Sequence, residues 1–305
     1  MLLHWPPNSV FGGFPMKKTL LTLTALLSTT AFAGGAAAPV AAEGTVTVNG
    51  AQVYYKATGS GQPLLLIHGY PLNGELFKNN RMMSGYRVIT VDLPGFGKSK
   101  LAPGQTVSIE NYAQTMVGFM DAMKLDKAVV GGMSMGGMTL LQMYKIAPER
   151  FKGLILIDTT AEPAGIAEAA MWRGTAQQAQ QKGVASLVDL LMPRMLTGES
   201  RMKMPNQVAH LGNLIKQASV EGAVGAGNAL ASRPDANPVL PTIKVPTLIV
   251  AGLEDNVTAP ELQMKMNKAI RGSKLVLIPG AGHASTFEKA GAMNAAVANW
   301  LRTVR

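Results

Sequence analysis

The segment GGMSMGG, residues 131–137, holds one serine between two methionines with glycine on both flanks. Within it Gly132-Met133-Ser134-Met135-Gly136 forms G-x-S-x-G, between a β-type run at Ala128–Val130 and a helical pattern that begins about Gly136. A strand-to-helix turn this tight forces a strained backbone on the serine, and bulky side chains two residues either side would collide, so glycine at both is a steric requirement. The chemistry implied is a nucleophilic hydroxyl held above the positive end of a helix. A glycine-rich turn cradling a phosphate is the competing reading. A Walker sequence needs Lys-Ser or Lys-Thr after its last glycine, where this chain has Met138-Thr139. The upstream Gly97-Lys98-Ser99 has Asp92 where the phosphate loop needs its first glycine, and is set aside.

A serine hydroxyl attacks poorly unless a base removes its proton, and histidine is the usual base at neutral pH. Of the four histidines, His4 lies at the extreme N-terminus, His68 closes the run PLLLIHG, and His210 falls in a stretch without strand candidates. His283, in the loop PGAGH after the last β-type run, is the one placed to reach Ser134. The base in turn needs a carboxylate to hold its tautomer. Asp255, in the loop after PTLIVAG, is selected, with neighbouring Glu254 and Asp158 as substitutes. Two backbone donors complete the set: Met135 N–H comes with the turn, and Tyr70 N–H comes from the loop after His68, where Pro71 has none to offer. His68 itself reads as a tie between loops.

These residues need a sheet whose strands end on one edge. From Thr45 onward short β-type runs recur, TVTVNG, AQVYYKATG, PLLLIHG, YRVITVDLPG, KAVVGG, KGLILIDTT, VPTLIVAG and SKLVLIPG, each closed by a turn-forming residue. The later ones are continuous apolar runs, as buried parallel strands require. Helical patterns alternate with them over 109–123, 137–147, 259–269 and 288–301. The expectation is an α/β fold with a mostly parallel, doubly wound sheet. Between Asp158 and Val245 only helical, Met-rich sequence occurs, so a helical lid is expected at about 161–241, inserted after the sixth strand and over the ligand crevice.

The front of the chain is separate. Met16-Lys17-Lys18, the apolar run TLLTLTALLSTTAFA and the triplet Ala31-Phe32-Ala33 read as a secretory signal peptide with Met16 as the true start. Residues 1–33 are then leader, 34–44 a small-residue linker and 45–305 the folded domain, giving an exported, periplasmic or secreted protein with no membrane span. The formal charge of +10 becomes +8 when Lys17 and Lys18 leave with the leader. The bases are scattered singly and not clustered with aromatics, which argues against a nucleic-acid interface. No cysteine is present, so disulfides, thiolate metal sites and a thiol nucleophile are excluded.

Taken together HGYPLNG, DLPGFGKS, GGMSMGG, VPTLIVAGLEDNV and PGAGH resemble the α/β-hydrolase fold superfamily over nearly all of residues 45–305. The chain is most similar to single-domain esterases related to cofactor-free haloperoxidases, perhydrolases and 3-oxoadipate enol-lactonases. The resemblance implies Ser134 as nucleophile, Asp255 as acid, His283 as base and the Tyr70 and Met135 N–H groups as oxyanion hole. It implies a small ester as substrate, and neither metal nor organic cofactor. Lactonase, perhydrolase, amidase or aminopeptidase activity on the same residues stays open, as does a non-catalytic ligand carrier. An amine-recognising enzyme would need a lid carboxylate, for which Glu162, Glu168, Asp189, Glu199 and Glu221 are available. Met171, Trp172, Met192, Met195, Met202 and Met204 could line an adaptable pocket or simply fill between helices.

Overall fold

The computed structural model describes residues 42–304. Its strands are β1 (Ala42–Val48), β2 (Ala51–Thr58), β3 (Gln62–Ile67), β4 (Tyr86–Val91), β5 (Ala128–Met133), β6 (Phe151–Ile157), β7 (Thr247–Gly252) and β8 (Lys274–Ile278). They form one sheet in the order β1-β2-β4-β3-β5-β6-β7-β8. β1 and β2 pair antiparallel with each other, and β2 pairs antiparallel with β4. From β4 to β8 every pairing is parallel. A parallel neighbour requires a crossover, and helices supply it on both faces. That is why β5 and β7 are buried at every position.

The helices are α1 (Ile109–Ala122), α2 (Met135–Ile146), α3 (Ile166–Lys182), α4 (Leu187–Met195), α5 (Gly198–Lys203), α6 (Pro205–Lys216), α7 (Val220–Ala231), α8 (Pro260–Ala269), α9 (Ser285–Glu288) and α10 (Ala290–Leu301). α1 starts where Ser108 accepts the Asn111 N–H at 3.0 Å, and it buries Tyr112, Met116, Phe119 and Met120. α10 seats Trp300 against Gly153 of β6, where any Cβ would lie 2.9 Å from the indole. Each such large side chain contributes roughly 1.5–3 kcal/mol by leaving water. The buried core runs from Val48 to Val304.

Five helices, α3 to α7, lie between β6 and β7. α7 enters against the loop after β4: the Ser219 N–H and hydroxyl both donate to the Gly95 carbonyl, at 2.9 and 3.1 Å. The crossing is backbone on backbone, since a Cβ on Gly222 would stand 2.3 Å from that same oxygen.

Two boundaries differ from the sequence expectation. Ala42, Glu43 and Gly44 were assigned to a linker, but they pair in register with Ala57, Lys56 and Tyr55. A ladder is made by backbone groups and needs no apolar side chains, and Glu43 adds a hydrogen bond from the Tyr54 hydroxyl. β5 also continues past Val130, through both glycines to Met133. Gly131 pairs with Leu66 and Ile155 there, and a Cβ on it would lie 2.7 Å from the Leu66 side chain. The leader expected over residues 1–33, with His4, and the rest of the linker lie outside the described residues. Among the described residues no helix is long and apolar enough to cross a membrane.

Candidate active site

One residue, Ser134, separates the end of β5 from the start of α2, and its φ of 54° with ψ of −118° is a conformation non-glycine residues rarely adopt. The surroundings enforce it. A Cβ on Gly132 would fall 2.2 Å from the Gly136 carbonyl oxygen, and one on Gly136 would fall 2.2 Å from that of Ile67. Ser134 N–H donates to Ile157 O at 2.9 Å, and the Ser134 carbonyl accepts the Thr159 hydroxyl at 2.7 Å. The end of β6 thus clamps the turn from the side.

His283 Nε2 stands 2.9 Å from Ser134 Oγ, and His283 Nδ1 stands 2.8 Å from Asp255 Oδ2. The chemically consistent tautomer carries its proton on Nδ1, donates to Asp255 and accepts from the serine hydroxyl. Asp255 is itself held, its Oδ1 accepting the N–H groups of Val257 and Thr258 at 2.8 and 3.0 Å, and its Oδ2 the Thr258 hydroxyl at 2.8 Å. Burial works to raise the Asp255 pKa, but the charge and hydrogen bond of His283 and those two N–H groups bring it below its usual value. For His283 burial works downward, and the charge and hydrogen bond of Asp255 prevail to raise it above 6.5.

The two substitute carboxylates go elsewhere. Glu254 is exposed. Asp158 is fully buried with φ of 43°, and accepts the Gly252 N–H at 2.8 Å, the Ser285 N–H at 3.1 Å and the Ser285 hydroxyl at 2.7 Å. Burial first, and the neighbouring Asp255 charge second, push its pKa up to about 8. At neutral pH it is mostly the neutral acid, so the charge facing His283 is that of Asp255.

Tyr70 follows a glycine packed on the serine turn, and Met135 follows the serine directly. A Cβ on Gly69 would stand 3.0 Å from that of Ser134, so the loop carrying Tyr70 packs directly on the turn. Met135 is the first residue of α2, where a backbone N–H has no partner within its helix. Neither N–H donates to another described residue. His68 donates from Nδ1 to Gly69 O and accepts the Leu93 N–H at Nε2, both at 2.9 Å, tying the loops after β3 and β4. Burial pushes its pKa down to about 4, so it stays neutral. His210 stacks on Phe287 at 5.5 Å between ring centroids. Asp92, from the discarded Gly-Lys-Ser region, accepts the N–H groups of Gly74 and Lys98 and forms the hub of a turn.

Sequence reasoning missed Glu288. Buried at the end of α9, its Oε2 accepts the Gly282 N–H at 2.7 Å while its Oε1 accepts the Thr197 N–H and hydroxyl at 2.9 and 2.6 Å. The Ala284 N–H donates to Met195 O at 2.8 Å. Both neighbours of His283 are therefore bonded, directly or through one carboxylate, to the segment between α4 and α5. The sequence offers no spacing signal for it, since Glu288 stands among Ser285, Thr286 and Lys289 in STFEKAGAM. Of the pocket candidates, Trp172 on α3 meets the Tyr70 ring edge-on at 5.5 Å, whereas Met202 points to solvent. Glu162, Glu168 and Glu199 are paired with Lys265, Arg233 and Lys203, and Asp189 and Glu221 are exposed.

The α/β-hydrolase fold family pattern matches residues 62–290, and the chain belongs to that family. It is 31% identical to 3-oxoadipate enol-lactonase 2 of Acinetobacter baylyi over 212 residues, 70% of this chain and 77% of that one. Among solved structures, a thermophilic esterase from Thermogutta terrifontis superposes with a TM-score of 0.80 at 32% identity, covering 88% of this chain and 99% of its own. A bromoperoxidase from Bacillus anthracis, at 22% identity and a TM-score of 0.77 over 86% of this chain and 100% of its own, shares the fold.

Proposed function

We propose that this α/β-hydrolase is an exported serine esterase that cleaves small carboxylic esters through an acyl intermediate on Ser134. The observation that carries the reading is the unbroken hydrogen-bonded chain from Ser134 Oγ through His283 to Asp255, at 2.9 and 2.8 Å. Ser134 Oγ gives its proton to His283 Nε2 as it attacks the ester carbonyl. The oxyanion forms against the Met135 and Tyr70 N–H groups, a donor of this kind contributing roughly 3 kcal/mol to the transition state. Asp255 stabilises the imidazolium, which hands its proton to the departing alcohol. Water then attacks the acyl-serine by the same route, and the carboxylic acid leaves.

Ser134 and His283 keep only 7% and 5% exposure, so the helices between β6 and β7 act as a lid that yields to admit substrate. Trp172 over Tyr70 makes the roof apolar. A second reading, opening of a lactone by the same acyl-Ser134 route, is favoured by the enol-lactonase relative. Wild type and Ser134→Ala are compared for fluorophosphonate labelling and for turnover of short p-nitrophenyl esters beside a lactone panel. Wild type that neither labels nor turns over, or a variant as active as wild type, ends the proposal. Export rests on the basic, apolar and Ala-x-Ala pattern of residues 16–33. N-terminal sequencing of the protein from the exported fraction is expected to begin near Gly34, and retention of an uncut chain in the cytosol overturns it.

A further inference from the structure

The carboxyl edge of the sheet holds Ser134, and the opposite, amino edge holds unpaired positive charge. Every parallel strand except β3 carries a base at its start or within three residues of it: Arg87 on β4, Lys127 before β5, Lys152 on β6, Lys244 before β7 and Lys274 on β8. In the spatial order β4-β3-β5-β6-β7-β8 these form a row across the sheet. At ~4.8 Å per strand the row is about 24 Å long.

None of the five takes part in an ion pair among the described residues. Lys152 donates only to the Gln62 side-chain oxygen, at 3.3 Å. The acids at this edge are Asp121, Asp126 and Glu149, and Asp121 is taken up by Arg150 at 2.7 Å. A helix C-terminus favours nearby bases, which accounts for Lys124 after α1 and Lys145 in α2. It does not account for Lys152 or Lys274, which lie within strands. Two shallow hollows open along the row, one lined by Arg87, Lys127 and Lys152 and the other by Lys244, Arg271 and Lys274. Large apolar side chains stand exposed beside it: Ile146 at the end of α2, 50% exposed, and Met82, 68% exposed, just before β4.

We infer that the amino edge is a docking face for an anionic phospholipid bilayer, holding the enzyme with its active site turned away from the membrane. A broad row of free bases with isolated apolar residues among them matches an anionic headgroup layer, where each base near the surface adds to binding. The preference for a bilayer over a nucleic acid rests on the exported reading above. A six-residue strand rises ~3.3 Å per residue, which puts Ser134 about 20 Å from the lipid. The docked enzyme is therefore built for esters in solution, and docking leaves their turnover unchanged.

The test uses the proposed mature chain from Gly34 to Arg305 with vesicles of phosphatidylcholine alone and with about one-third phosphatidylglycerol. Binding at about 0.01 M salt is expected to be at least roughly tenfold tighter to the anionic vesicles, and to vanish at about 1 M, where screening reaches only ~3 Å. The combined variant Lys127→Glu, Lys244→Glu, Lys274→Glu is expected to lose that binding with an unchanged melting temperature. Equal binding to both vesicle types, a variant that binds like wild type, or tight binding to duplex DNA without vesicle binding overturns the inference. Vesicle binding is read independently of ester turnover and of export, so failure of either earlier proposal is seen separately.

Discussion

Ser134 and His283 stand 2.9 Å apart, yet different physics holds each of them. The serine turn is positioned by backbone sterics: Gly132 meets the turn's own Gly136 carbonyl, Gly136 meets the Ile67 carbonyl of the neighbouring strand, and the strained φ follows from joining strand to helix in one residue. The histidine loop is positioned by carboxylates. Asp255 holds its ring, Asp158 holds Ser285 two residues on, and Glu288 holds Gly282 before it and reaches Thr197 in the inserted helices. Ser134 can be set by backbone sterics because only one backbone conformation fits between these strands. A base that must move a proton needs hydrogen bonds of fixed direction, and in a buried loop these come from distant chain segments.

Substitutions can separate the two. Ser134→Ala removes the attacking atom without touching the turn, so ester turnover is expected to fall by about 10⁵- to 10⁶-fold with the melting temperature unchanged. A lost fold instead would show that the hydroxyl, not glycine sterics, holds the turn.

Asp255→Asn is next, at on the order of 10⁴-fold in kcat. It also carries a pH signature. In the proposed mechanism His283 must be neutral to accept the proton, and its pKa lies above 6.5 because the charge and hydrogen bond of Asp255 outweigh burial. Wild-type rate therefore falls as pH drops through that raised value. With Asp255 neutralised its charge and hydrogen bond are gone, burial of the imidazole is opposed only by the smaller effect of Asp158, and the acidic limb moves to lower pH. A limb that stays in place would mean that another group sets the His283 pKa.

Glu288→Gln keeps the size of the side chain but replaces an acceptor with a donor between Gly282 and Thr197. The expected loss is roughly 10- to 100-fold in kcat with KM little changed, since small misplacement of a base is costly. A rise in KM alone would assign Glu288 to lid closure and not to the base. Asp158→Asn acts on the pH dependence of stability and not on the bond-making step. The folded-state pKa of about 8 exceeds the ordinary 3.8. The stability contributed by the neutral acid is therefore complete below about pH 4 and is lost as pH rises toward 8. Urea midpoints of wild type are expected to decline over that window, and the variant, which cannot ionise, to decline less. Equal slopes would place the buried proton elsewhere.

Much of this molecule is legible in its sequence because periodicity and steric demand are local. Continuous apolar runs mark the buried strands, GGMSMGG marks the turn, and four histidines are few enough for elimination to reach His283. Tertiary structure decided what depends on partners far along the chain. It brought Asp255, already preferred in the sequence, to His283 and sent the two substitutes elsewhere, Glu254 to solvent and Asp158 to Ser285. It made strand of Ala42 to Gly44, where pairing rests on backbone groups that side-chain patterns do not report. It joined Glu288 to Thr197, 91 residues away, and it gathered bases scattered singly through the sequence along one edge. Hydrophobic pattern and backbone sterics act over a few residues and can be read from them, whereas a buried carboxylate or a row of charge acquires its role only when the packed sheet brings remote segments together.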